Sequence, residues 1–198
     1  MALDGITLGL IKNELKDYII GSKIDKVHQP SKNELVLILR TRNGGYRLYL
    51  SCDGQSPRVH LSRYNLENPK VPPMLCMLLR KRLCGATLSD ISQIGNDRII
   101  TFEFDGTTEI GDKTIYYLIC EIMGQRSNII LCDSDYKIID GVGTFVSPDS
   151  TYTYDKQEFY LTYGKRAYPF SMLKDGDYLT AYYSPVEDKY DDPVSKVI

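Results

Sequence analysis

In the opening stretch DGITLGLIKNELKDYIIGSKI, Leu8, Ile11, Leu15, Tyr18 and Ile19 recur at spacings of three and four, which places them on one face of a helix closed by Gly21. The pattern predicts an amphipathic helix over 5–20. Short β-type runs follow: KIDKVHQ, ELVLILRT, YRLYLSC and PRVHLS, separated by Pro30-Ser31-Lys32-Asn33, Asn43-Gly44-Gly45 and Asp53-Gly54. These are the residues that tight turns need, so the segment reads as an antiparallel meander and not as a βαβ series. In NPKVPPMLCMLLRKRLCG, Pro72-Pro73 sets a helix start, Met74, Met77 and Leu78 share a face, and Gly85 ends the element, which predicts a second helix over 73–84. The strand candidates RIITFEF, TIYYLICEIM, NIILCD and KIIDGVGTFV come next. Their connections are Asp105 to Asp112 and Gly124-Gln125-Arg126-Ser127. Gly95-Asn96 is a tight-turn signal, since glycine supplies positive φ at no steric cost. It sets Asp97 and Arg98 where a strand leaves a hairpin.

After Ser147 the character changes. Residues 152–190 hold nine tyrosines and few aliphatics, with Pro169 and Pro185 as breakers. That reads as an extended segment lying over the sheet, with packing the simpler use of its tyrosines and base stacking the other. The organisation expected is one domain over 1–150, with 151–198 a tyrosine-rich extension of it cut from a longer protein.

Composition narrows the class. With 42% hydrophobic and 25% charged residues, the chain is an ordinary globular one. Its apolar runs fall well short of the roughly 20 residues that cross a bilayer, so no membrane partner is expected. Five cysteines, odd in number and never in C-x-x-C spacing, together with the lack of a basic-apolar leader, point to a reduced, cytoplasmic protein. The net charge of −2 conceals an asymmetry: residues 23–98 carry a balance of +7 and residues 99–198 one of −8. Such a division can place a phosphate-binding face inside a neutral average, or can mean no more than two unlike solvated surfaces.

No catalytic residues, cofactor or metal can be assigned. His28 and His60 fall on different strands without a second ligand at helical or turn spacing. Cys76 and Cys84 sit in or beside an apolar helix, where cysteine is usually a small core residue. No G-x-S-x-G, P-loop or G-x-G-x-x-G occurs. The positive candidates are cations: Arg80, Lys81 and Arg82 on the second helix, Lys26 before Pro30, Arg98 after the turn and Arg126 in the later one. An arginine fork donates two parallel hydrogen bonds to phosphate or to a base edge, and a neighbouring carboxylate orients it. The plainer alternative is that Asp97 closes its own turn and Arg98 covers the strand.

Several motifs in one order carry more than any one of them. MALDG, KVHQPSKNELVLILR, PPMLCMLLRKRL, QIGNDRII and EIMGQRSNIILCD together resemble the N-terminal region of the NFACT family, whose bacterial members are labelled fibronectin-binding protein A or RqcH and whose eukaryotic relative is the nuclear export mediator factor. The resemblance implies an α+β fold like the N-terminal domain of formamidopyrimidine DNA glycosylases, an antiparallel β-sandwich with flanking helices. It also implies a non-enzymatic, RNA-binding role in ribosome quality control. The partners would be tRNA, in particular alanyl-tRNA, the obstructed large ribosomal subunit and its nascent chain, with C-terminal alanine tailing as the outcome. Asp97 and Arg98 correspond to the family's tRNA-recognition pair, with Asp4, Arg126 and Asn128 as further contacts and Arg80, Lys81, Arg82 and Lys26 attracting phosphate. The later turn departs from the family's Gly-Arg-His-Ser-Asn, because Gly124-Gln125-Arg126-Ser127-Asn128 displaces the basic group by one residue. Glycosylase chemistry is not expected, since it needs a processed N-terminal proline followed by glutamate and this chain begins Met1-Ala2-Leu3-Asp4. The rival readings are a fibronectin-binding surface adhesin and a protein-interaction scaffold.

Overall fold

The computed structural model describes residues 3–42, 44–142, 160–163 and 166–169, the last two stretches by their backbone. The chain divides into two compact units, Met1–Gly143 and Thr144–Ile198. In the first, helix α1 (Gly5–Ile19) is followed by strands β1 (Lys23–Ser31), β2 (Glu34–Thr41), β3 (Gly44–Ser51) and β4 (Arg58–Leu61). Helix α2 (Met74–Leu83) precedes β5 (Thr87–Ser92), β6 (Ile99–Thr107), β7 (Lys113–Glu121), β8 (Asn128–Cys132) and β9 (Ile138–Gly141), with a single 3-10 turn at Gly124–Arg126. In the second, β10 (Tyr160–Tyr163) and β11 (Arg166–Pro169) form an antiparallel hairpin. The remainder of the expected tyrosine-rich extension lies outside the described residues.

The α+β class expected from the sequence is the one observed. The nine strands of the first unit run in the order β4-β3-β2-β1-β5-β6-β7-β8-β9, and every pairing in it is antiparallel. The two halves meet at a narrow junction, where Lys23 opposite Thr87 is the one register pair between β1 and β5. Main-chain bonds around it, Ile24 N–H to Ala86 O and Leu88 N–H to Ser22 O, hold the corner. The halves expected as two sheets are thus one hydrogen-bonded sheet with a narrow waist.

Helix α1 starts because the Asp4 carboxylate accepts from Thr7 N–H at 2.7 Å, satisfying a donor that the first turn leaves orphaned. It buries Leu8, Leu15 and Ile19. Tyr18 does not join that stripe: it is exposed, with its ring tilted toward Tyr46 at 6.1 Å. Helix α2 buries Leu75, Cys76, Leu79 and Leu83. Met74 and Met77 do share a face, but it is the outer one, 86% and 54% exposed. Cys84 is also exposed, and Cys76 is the core cysteine expected of this helix. Both buried stripes join a single cluster with Leu37, Leu50, Phe102 and Phe104. Burying each such side chain stabilises by about 1.5–3 kcal/mol, and truncating Leu79 to alanine would cost about 2–5 kcal/mol.

Strand β5 is one the hydrophobic pattern did not reveal. Its buried residues, Leu88 and Ile91, are three apart because a register irregularity falls between Leu88 and Asp90, which breaks the alternation by which strands are recognised.

Candidate nucleic-acid interface

Strand β5 ends in a turn in which Asp97 N–H donates to Ile94 O at 3.0 Å. Gly95 takes a φ of 51°, a left-handed value that a side chain tolerates poorly, so glycine is needed here. One oxygen of the Asp97 carboxylate accepts from Arg98 N–H at 2.6 Å, and the Arg98 carbonyl accepts from Ile122 N–H at 2.8 Å. The backbone of the pair is therefore fixed on both sides, to its own turn and to the end of β7. The Arg98 side chain is half-buried, and among the described residues no ion pair or side-chain hydrogen bond engages its guanidinium. A planar fork on an immobilised backbone, with its donors unspent, is suited to an anion or a base edge.

The start of α1 is seated on this turn. A Cβ on Gly5 would lie 1.6 Å from Asn96 O, so helix and turn touch backbone to backbone. Gln93 clamps them: its Nε2 donates to Gly5 O at 2.8 Å and to Asp97 O at 2.7 Å. Asp4 stands at the same place as the helix cap, and the hydrogen bond from Thr7 holds its carboxyl below the usual carboxylate range. Asp4, near the start of the chain, and Asp97 and Arg98, near its middle, thereby fall at one place. Gln93 and Gly5 are supports of this turn that sequence reasoning missed. Gly5 stood within the MALDG motif and Gln93 opens the QIGNDRII motif, but neither motif marks them as supports of the turn.

Arg126 and Asn128 flank the next connection. Glu121, at the end of β7, is opposite both Ile99 and Asn128, so Arg98 and the Gly124–Arg126 turn emerge from the same end of the sheet. That turn is closed by Ser127 N–H to Gly124 O at 3.0 Å, and by Ser127 Oγ accepting from Met123 N–H at 2.8 Å. The β3–β4 loop meets it, since a Cβ on Gly54 would lie 2.9 Å from Gln125 Cα. Asn128 is 3% exposed, and its side-chain oxygen accepts from Ile129 N–H at 2.9 Å, which places it inside the sheet end as a support of the turn.

The remaining cations lie elsewhere. Arg80 donates from Nε to Val27 O at 2.8 Å, which ties α2 to β1. Lys81 and Arg82 both pair with Glu109, each at 2.9 Å, and the hydrogen bond from Lys81 is the chief reason the Glu109 carboxyl lies below its ordinary range. Lys26 is exposed on β1. Lys26, Arg80 and Lys81 line a cleft of about 930 Å³ between β1 and α2, whose walls include none of the residues of the Asp97–Arg98 turn. His28 shares this cleft, and burial, with the charges of Arg80 and Lys26 added to it, pushes the imidazole below its ordinary value of 6.5.

The chain is thus an antiparallel α+β module with an arginine at a buttressed hairpin end. Residues 4–153 match the model of the NFACT N-terminal and middle domains, and the chain belongs to that family. It is 42% identical over 143 residues to the Rqc2 homolog RqcH of Bacillus subtilis, covering 72% of this chain and 25% of that one. It is 27% identical to the human ribosome quality control complex subunit NEMF, covering 68% of this chain and 12% of that one. The crystal structure of the N-terminal domain of the fibronectin-binding protein PavA from Streptococcus pneumoniae superposes with a TM-score of 0.70 at 39% identity, covering 76% of this chain and 57% of that one. The chain spans about a quarter of the length of its Bacillus relative. Its family is one of ribosome quality control factors.

Proposed function

We propose that this chain is the RNA-binding module of a cytoplasmic ribosome quality control factor, without catalytic activity of its own. It would bind tRNA, and with it the obstructed large subunit, in support of C-terminal alanine tailing of the stalled nascent chain. The observation that carries this reading is the unspent Arg98 guanidinium on a backbone clamped by Asp97, Ile122 and Gln93. Arg98 supplies the direct contact, Asp97 orients it or accepts from a ribose or base, and Arg126 adds charge from the adjoining turn. The names of the relatives support the ribosomal setting.

The test is tRNA binding by the chain and by its Asp97→Ala/Arg98→Ala variant at two salt concentrations, with folding followed by thermal melting. A folded variant that no longer binds is the expected result. Equal binding by both proteins would reduce the pair to turn chemistry. A second reading, fibronectin binding, is favoured only by the name that the Streptococcus pneumoniae relative PavA carries. Saturable binding of purified fibronectin, with none of tRNA, would put it first.

A further inference from the structure

The outer face of α2 carries exposed apolar side chains. Met74 is 86% exposed, Met77 54% and Val71, in the segment leading into the helix, 80%. Met74, Met77 and Leu78 form one apolar wall of the cleft against β1, with Lys26 and Arg80 among the residues on the other sides. Methionine is flexible and polarisable and recurs on surfaces that accept varied apolar side chains, and a contiguous exposed apolar patch usually marks an interaction site. Lys26, Arg80 and Lys81 line the cleft against one acid, Asp25, with Lys81 also paired to Glu109 outside it. The Arg80 fork is already oriented by its bond to Val27 O, so a carboxylate arriving beside the methionines would meet donors held in place.

We infer that the cleft between β1 and α2 is a docking groove for an amphipathic helix of a partner protein, apolar on the side facing Met74, Met77 and Leu78 and acidic on its flank. The apolar wall selects this occupant over a nucleic acid. Among the described residues the only ring lining the cleft is the half-buried His28 imidazole, and the wall of Met74, Met77 and Leu78 offers phosphate and ribose no donor. Helix-in-groove recognition needs only apolar anchors at spacings of three and four and a charge to fix polarity.

The test uses the 198-residue chain labelled with ¹³C at the methionine methyls, which number five. The probe is a helical peptide of about 16 residues with leucine at i, i+3, i+4 and i+7 and glutamate on the flanks, alongside a counterpart with lysine in place of glutamate. Saturable shifts of the Met74 and Met77 methyls with the glutamate peptide are expected. Met77→Ser should weaken binding about tenfold, as loss of an apolar anchor does. Lys26→Glu should weaken the glutamate peptide and strengthen the lysine one, and both sites are exposed, so neither change should lower the melting temperature. Absence of shifts at Met74 and Met77, or equal binding of the two peptides, would overturn the inference. So would displacement of the peptide by a single-stranded oligoribonucleotide, which would assign the groove to RNA. Concentration-dependent shifts without peptide would assign it to a second copy of the chain. Binding of tRNA through Asp97 and Arg98 is expected to be unaffected by Met77→Ser, so the two readings stand or fall separately.

Discussion

Gly5, the first residue of α1, meets Asn96 so closely that a Cβ would lie 1.6 Å from the Asn96 carbonyl oxygen. Backbone opposes backbone here, and neither side has a flexible end that could move aside. Gly5→Ala should therefore lift the helix off the turn, costing about 1–3 kcal/mol by the usual scale of overpacking. The Asp97–Arg98 turn would lose its seat at the same time. Urea denaturation should show a lower midpoint, and tRNA affinity should fall by more than stability alone explains when both are measured well below the melting temperature.

Gln93 joins the same two elements by hydrogen bonds. Replacing it with leucine leaves Asp97 O without its side-chain donor and Gly5 O with its helix bond alone, at a cost of about 1–3 kcal/mol where such an acceptor is shielded from water. Gln93→Glu is the sharper test. Glutamate has nearly the same shape but no donor when ionised, and it places a negative charge among carbonyl oxygens. Thermal melting should rank wild type above both variants, and tRNA binding should follow that order. A glutamate variant as stable as wild type would show that the clamp is steric.

His28 gives the first unit a pH dependence of defined sign. Burial and then the charges of Arg80 and Lys26 lower its folded-state value below 6.5, so the folded protein disfavours the imidazolium relative to the unfolded chain. The resulting stability is fully present above the unfolded value near 6.5 and is lost as pH falls through the lower, folded one. Melting temperatures measured between pH 7.5 and pH 5 should decline on acidification. His28→Gln should flatten that decline, and an unchanged slope would place the sensitivity in other groups.

Much of this architecture is legible in the chain, for reasons that also mark where legibility ends. Leu8, Leu15 and Ile19 announce α1 because their spacing matches the helical repeat, and Gly95-Asn96 announces the turn because few residues accept its geometry. Periodicity places Met74, Met77 and Leu78 on one face but does not reveal which face is inward. Leu75, Cys76, Leu79 and Leu83 form a competing stripe, and packing against the sheet decided between them. Strand β5 was hidden by its irregular register. The Gln93 clamp joins residues 88 apart to residues four apart, and no local pattern encodes that. The significance attached to Asp97 and Arg98 came from resemblance to a family, since spacing alone favoured turn chemistry.

Asp4 separates a capping role from a ligand role. Its carboxylate accepts from Thr7 N–H, and that bond chiefly accounts for its lowered value, so the observed interaction is that of a helix cap. Asp4→Ala should lower the melting temperature by a few degrees, and Asp4→Ser, which keeps a capping oxygen without the charge, should restore most of it. If tRNA affinity recovers with serine as well, Asp4 serves the site by holding α1. Recovery of stability without recovery of affinity would make its charge part of the recognition surface.

Glu109 controls how much of the positive charge on α2 is available. It pairs with both Lys81 and Arg82, so of the helix's three consecutive cations two share one carboxylate and the third is committed through Nε to Val27 O. Glu109→Gln would remove the shared anion without removing either cation. The melting temperature should scarcely move, because exposed ion pairs contribute little to stability. Binding to an arbitrary RNA duplex should strengthen, with a steeper dependence on salt, because released cations add phosphate contacts and each contact steepens that dependence. Discrimination between tRNA and other RNA should then fall, since the added attraction reads no sequence. If affinity and salt dependence both stayed at the wild-type level, α2 would lie outside the path of the RNA, and its cations would serve the apolar groove beside them.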